Sequence, residues 1–219
     1  MLFRSADTTL FWTAMAYNFQ PAGTAQVFAN APPEAAKAFA EDRQAMRSGM
    51  PRMPAADATA AYRSYLRRMS DMLDDWPFLL GALPSIADFA AYHPLWFTRT
   101  RTPAMAGILD ATPAVLEWMD RMADVGHASF EKCSAADAIA IAAAATPALL
   151  RDDIFQDEHV IARGSQVTIK SENFGREPTL GELIAATRMH YTLRRTDERA
   201  GTVHVHFPRI GYTLKRAEA

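Results

Sequence analysis

Apolar residues recur at spacings of three and four through the earlier part of the chain and at spacings of two through its last part. The first period is that of an amphipathic helix and the second that of a strand with one buried face. Leu10, Phe11, Ala14, Met15 and Tyr17 or Asn18 predict a helix over residues 5 to 20, with Asp7 in its first turn and Pro21-Ala22-Gly23 as its stop. Asn30-Ala31-Pro32-Pro33-Glu34 reads as a second start, running to about Arg47 ahead of Gly49, and Met50 to Pro54 as a linker. Tyr62, Leu66, Met69 and Leu73 form the stripe of a third helix; Arg63, Arg67 and Arg68 lie on its other side, balanced by Asp57, Asp71, Asp74 and Asp75.

The fullest local signal is the run from Trp76 to Phe89, in which Ser85 and Asp88 stand three apart at a helix start. The Ser85 hydroxyl can accept from the Asp88 N–H while the carboxylate reaches back to the Ser85 N–H, satisfying two otherwise orphaned donors. Pro84 and Phe89 occupy the positions of a hydrophobic staple, as befits a start buried in a core. This helix should pass through Tyr92 and His93 and kink at Pro94, followed by a loop around Arg99 to Pro103. Pro113 opens a helix through Trp118 and Gly126 closes it. An Ala-rich helix starts at Ser134, with Asp137 again three residues on, and is expected to lie close against the bundle.

From Arg151 the period changes. Val167 and Ile169; Leu183 and Ala185; Met189, Tyr191 and Leu193; Val203, Val205 and Phe207; and Ile210, Tyr212 and Leu214 alternate with polar or small residues. About five strands in so short a segment predict a small barrel or a strongly curled antiparallel sheet. Asn173-Phe174-Gly175, Thr196 to Gly201 and Pro208 to Gly211 supply the turns. The fold class expected is α+β: an all-α bundle of about six helices over residues 1 to 150, then a small antiparallel β-barrel-like domain over residues 151 to 219.

The aromatic-Leu-Leu-Gly turn, Pro84-Ser85-x-x-Asp88-Phe89 and the later Thr112-Pro113-Ala114-Val115-Leu116-Glu117-Trp118-Met119 resemble the C-terminal helical domain of the glutathione S-transferase family. The resemblance covers about residues 5 to 146. It implies glutathione as co-substrate, small electrophiles as substrates and a thioredoxin-like domain that carries the activating residue, which these residues are not expected to include. No catalytic residue is therefore expected in this chain. Residues 11 to 19 correspond to the electrophile wall, with Phe11, Trp12 and Met15 as its expected members, although their spacing serves a helix core equally. The other functional reading is a non-catalytic binding or assembly module. An apolar face left uncovered, drawn from Leu10, Phe11, Trp12, Phe89, Tyr92 and Trp96, is expected to be covered either by the β domain folding back or by another chain, with self-association as a homo-oligomer such as a dimer the favoured outcome. The ending Gly-x-Val-x-Val-His-Phe-Pro-Arg-x-Gly-Tyr resembles an extension of some bacterial family members.

Composition changes this picture little. The 219 residues are 49% hydrophobic and 22% charged, ordinary for a soluble globular protein. The net charge of −2 divides at Leu150 into 12 basic and 15 acidic residues before and 11 and 10 after, so neither part invites nucleic acid. The single cysteine, Cys133, excludes an intrachain disulfide and suits the cytoplasm. Met1 to Arg4 lack the pattern of a leader, and the apolar run from Ala138 to Leu150 is too short for a membrane span.

Few residues carry candidate chemistry. Cys133 precedes a helix start but has no base or resolving cysteine in sequence. His204 and His206 share one strand face, and His190 shares a face with Thr192 and Arg194. If Arg194 faced Thr202, His190 would face His206 and three imidazoles would meet as metal ligands do; the plain alternative is a wet polar face. No phosphate-binding glycine loop, Gly-x-Ser-x-Gly, Cys-x-x-Cys or His-Glu-x-x-His occurs.

Overall fold

The computed structural model describes residues 5–47, 53–148, 150, 154–172 and 175–217. The chain divides into two compact units, one of residues 1–40 and 50–130, the other of residues 41–49 and 131–219.

The first unit is helical. A π-helical turn, Ala6–Leu10, leads directly into α1, Phe11–Asn18. The first helix stops before Pro21, as expected, but Pro21 also opens an unforeseen α2, Pro21–Val27, where its missing N–H costs nothing. α3 spans Ala35–Arg47, of which the part up to Ala40 belongs to this unit, and its Phe39 ring stacks on Phe19 at 5.4 Å. α4, Ala55–Leu73, buries the anticipated stripe of Tyr62, Leu66, Met69 and Leu73. α5 spans Ile86–Trp96. Where a loop was expected after it, a second π-helical turn covers Phe97–Arg101 and a 3₁₀ helix covers Pro103–Leu109. The widened turn closes with the Thr102 N–H on the Phe97 carbonyl, five residues back, and the Thr98 hydroxyl donates to the Pro94 carbonyl at 3.0 Å. α6, Pro113–Asp124, begins at its proline, and Gly126 follows with φ +66°, the left-handed conformation that a residue past a helix end favours. Leu10, Tyr62, Leu66, Leu95, Val115 and Trp118 are the centre of the core.

The second unit contains α7, Ala135–Ala144, and an antiparallel sheet of β1 (Gln166–Ser171), β2 (Thr179–Ala186), β3 (His190–Asp197), β4 (Gly201–Pro208) and β5 (Tyr212–Arg216) in the order β4-β3-β2-β1-β5. α7 falls in this unit, with none of its residues buried. The barrel expectation is corrected, since no ladder joins the edge strands β4 and β5 among the described residues. The sheet must nevertheless curl. Flat strands would put its edges ~19 Å apart, whereas the link from Pro208 to Tyr212 reaches at most ~14 Å. Phe207 and Tyr212 close ring to ring across the open seam at 5.5 Å.

Two local features set which side chains share a face. An extra residue in β2 shifts the pairing between Leu183 and Ala185, so Leu183 and Ala186 enter the core while Ala185 lies opposite Thr192 on the outer face. Ala185 therefore does not continue the buried row. The β3–β4 loop is closed by Asp197, whose Oδ1 accepts from the N–H groups of Arg199 and Ala200, both at 2.9 Å, with Gly201 at φ +69°. Met189 and Ile210 are exposed at the strand ends rather than inside the core. The linker residues 50–52 and the turn residues Asn173 and Phe174 lie outside the described residues.

Candidate functional site

The helical unit presents one aromatic face, built on α1 and α5. Ile86, Phe89, His93 and Trp96 follow spacings of three, four and three, so they line one side of α5. That side is open: Ile86 is 68%, Phe89 49% and Trp96 41% exposed. The half-buried Phe11 on α1 meets Trp12 edge-on at 5.2 Å and the exposed His93 at 5.7 Å, joining the two helices into one surface. Of the residues expected as an electrophile wall, Phe11 and Trp12 lie on this surface. Met15 is buried behind it in the core, as is Leu10.

A buried carboxylate holds α5 in place. Asp88 is fully buried and forms the capping box with Ser85. Its Oδ2 accepts from the Ser85 N–H at 2.8 Å and the Ser85 hydroxyl at 2.7 Å. Its Oδ1 accepts from the Leu79 N–H at 2.8 Å and the Trp118 indole at 3.0 Å. One side chain thus ties together the start of α5, the turn at Phe78 to Gly81 and α6. No part of it is left for substrate, which agrees with reading it as a cap.

A second polar group sits in the core and was not foreseen. Asn18 Nδ2 donates to Thr98 Oγ1 at 2.8 Å, the Thr102 hydroxyl donates to Asn18 Oδ1 at 3.1 Å, and Tyr62 shares a hydrogen bond with Thr98 at 2.8 Å. Burial pushes the Tyr62 phenol well above its ordinary range. These bonds hold the π-helical turn after α5 against α1 and α4. The one sequence signal was polar residues interrupting otherwise apolar stretches.

On the sheet, the histidine arrangement departs from the one a metal site needed. The Asp197-centred loop sets Thr192 opposite His206 and Arg194 opposite His204, two residues from the pairing that would have set His190 against His206. His190 and His206 still approach diagonally, ring centroids 5.7 Å apart. No group of three His, Cys, Asp or Glu residues capable of holding a metal occurs among the described residues. Cys133 is exposed, its Sγ 3.5 Å from the Ser134 carbonyl. No helix among the described residues is long and apolar enough to cross a membrane.

A helical unit with a carboxylate-capped α5 and an appended antiparallel sheet defines the class, and the chain belongs to the glutathione S-transferase C-terminal domain family. Residues 25–121 match the family described as glutathione S-transferase, C-terminal domain. A GST-like protein from Pseudomonas syringae is 35% identical over 99% of this chain and 67% of its own, with a TM-score of 0.72. The sheet is therefore part of the likeness. A glutathione S-transferase from Xanthobacter autotrophicus Py2 is 21% identical over 60% of this chain and 55% of its own, at a TM-score of 0.27 that carries no structural argument. No curated protein matches the sequence.

Proposed function

We propose that the α1–α5 face is the apolar wall of a glutathione-conjugating site, and that the chain takes part in adding the glutathione thiol to small electrophiles. The observation that carries this reading is the joined group of Phe11, Trp12 and His93, partly open to solvent and backed by buried Met15. Phe11 and Trp12 offer flat apolar surface to an electrophile, and Met15 supports them from behind without touching it. The reading assigns activation of the thiolate to a thioredoxin-like domain docked on this face. The P. syringae relative, of which this chain covers 67%, has the additional length for such a part.

The test is retention on immobilised glutathione and turnover of 1-chloro-2,4-dinitrobenzene by the purified protein joined to a thioredoxin-like domain. Phe11→Ala and Trp12→Ala should raise KM for the electrophile more than they lower kcat with saturating glutathione, because they remove uniform binding rather than a group acting in the transition state. Neither retention nor turnover would leave the second reading, a non-catalytic assembly module. That reading is favoured by the exposure of Ile86, Phe89 and Trp96 along one helix side, which suits a covering protein surface as well as a substrate.

A further inference from the structure

The second unit holds a groove of about 750 Å³ between α7, the segment that follows it and the outer face of the sheet. This is within the range of sites that hold drug-sized molecules, which are typically apolar pockets with a few placed polar groups. Ala145, Pro147, Leu150 and Val203 supply apolar wall; Thr187, His190, His204 and His206 supply the polar end. No carboxylate is among the described residues that line it.

The two imidazoles that approach each other are held by their inner nitrogens. His190 Nδ1 is 3.1 Å from Thr187 Oγ1, which already accepts the N–H groups of Met189 and His190, both at 3.2 Å. The hydroxyl hydrogen is therefore free to point outward, and Nδ1 is nearer to it than its other acceptor, the His190 carbonyl at 3.4 Å. A neutral His190 then carries its proton on Nε2. His206 Nδ1 is 2.9 Å from the hydroxyl of fully buried Thr192. Neither Nε2 has a protein partner among the described residues, so both remain for a ligand.

Among the described residues the charges around the groove favour an anion. Arg194 on β3 is spent on Glu182 of β2 through bonds of 2.6 to 3.1 Å. Asp137, the charged residue of α7, is bound to the Ser134 hydroxyl at the start of that helix at 2.6 Å. His204 on β4 adds a third imidazole opposite Arg194. Over this polar end lies α7, apolar along nearly its whole length, with Ile141 64% exposed and no residue buried. Of α7 itself Ala142 lines the groove, with Ala145 just past its end, so the helix offers a ligand body a short apolar wall.

We propose that this groove binds an organic monocarboxylate with an apolar body, its carboxylate accepting from Nε2 of His190 and His206 and its body lying beneath α7. The site is independent of glutathione conjugation. Binding an anion to two imidazoles favours their protonated forms, so affinity rises as pH falls from about 8 to about 6.

Octanoate is the probe, titrated calorimetrically into the full chain at both pH values, with octanol and inorganic phosphate as comparisons. Octanoate should bind tighter at the lower pH, take up protons, and exceed both octanol and phosphate. His190→Gln and His206→Gln, checked for folding by circular dichroism, should each weaken it about tenfold, the loss expected for one charge-assisted hydrogen bond. Ala185→Phe, which fills the groove floor, should abolish binding of octanoate. Absence of saturation below about 10 mM octanoate, equal affinity for octanol, or undiminished binding by both histidine variants would overturn the proposal. Phosphate binding without octanoate binding would overturn it as well, since the apolar body would then play no part.

Discussion

The indole N–H of Trp118 donates to Asp88 Oδ1 at 3.0 Å, so the cap of α5 and the centre of α6 share one buried carboxylate. Four donors converge on that side chain, and removing it orphans all of them. Asp88→Ala should therefore cost about 3 kcal/mol or more, against about 1 kcal/mol for Ser85→Ala. Urea midpoints measure both. In a double-mutant cycle with Trp118→Phe, the two losses should fall short of additive, because each removes the same bond. Additive losses would mean that the bond contributes nothing.

Gly23 is needed for a different reason. A Cβ there would sit 1.9 Å from the Asn18 carbonyl oxygen, a backbone atom at the end of α1 that cannot swing away. Gly23→Ala should destabilise the helical unit by about 3 kcal/mol or more, and thermal unfolding followed by circular dichroism would show it. Gly126→Ala, with nothing within 4 Å but φ at +66°, should cost less.

Tyr62 links stability to alkaline pH. Burial raises its pKa above the ordinary 10.0, so the unfolded chain loses the phenolic proton first. The contribution of the neutral phenol is intact below pH 10 and is lost as pH climbs from there toward the raised folded value. Tyr62→Phe should be less stable than the parent at neutral pH by about 1 kcal/mol, and the gap should narrow above about pH 10. A gap independent of pH would show that the hydroxyl is not kept neutral by the fold.

His206 acts on the acid side. Desolvation, then the neighbouring His190 and His204, lower its pKa below 6.5, so the folded chain holds it neutral where the unfolded chain protonates it. Stability from this group is present above pH 6.5 and falls as pH drops toward the lowered value. A titration of imidazole resonances should place His206 below 6.5, and His206→Gln should flatten the acid limb of the stability profile.

Long-period features were legible in the sequence. The Tyr62 to Leu73 stripe, the Ser85–Asp88 box and the Pro113 start each rest on residues close together in the chain, and alternation announced five strands, although Ala185, Met189 and Ile210 fall outside the buried rows it assigned. What was not legible depends on a single inserted residue or one side chain. The shift at Leu183 and Ala185 moves Ala185 to the groove face, and the Asp197 carboxylate displaces the His190 to His206 pairing by two. Likewise, the π-helical turn after Pro94 looks like a loop in sequence, because its order comes from Asn18 and Tyr62 far away in the chain. Of the candidate wall, periodicity marked Phe11, Trp12 and Met15 alike; only packing separates the buried Met15 from the two at the surface.

The α5 side formed by Ile86, Phe89, His93 and Trp96 bears on assembly. Apolar side chains at these spacings form one strip, and contact of Phe11 with His93 extends it onto α1. Contiguous apolar patches above a few hundred Å² are rare on monomeric proteins and mark interfaces. On the assembly-module reading, the alternative to a substrate wall on this face, the chain is expected to associate with a second copy through this strip. Sedimentation velocity over a concentration series should show a dimer whose population rises with loading. Phe89 and Trp96 are at the open side of α5, so Phe89→Glu with Trp96→Glu should leave the core intact while burying two charges in any such interface. The double variant should then sediment as a monomer with an unchanged circular dichroism spectrum. A parent chain that remains monomeric at all concentrations would sink self-association and leave the strip to a different partner, whereas a dimer that survives both substitutions would place the interface elsewhere on the molecule.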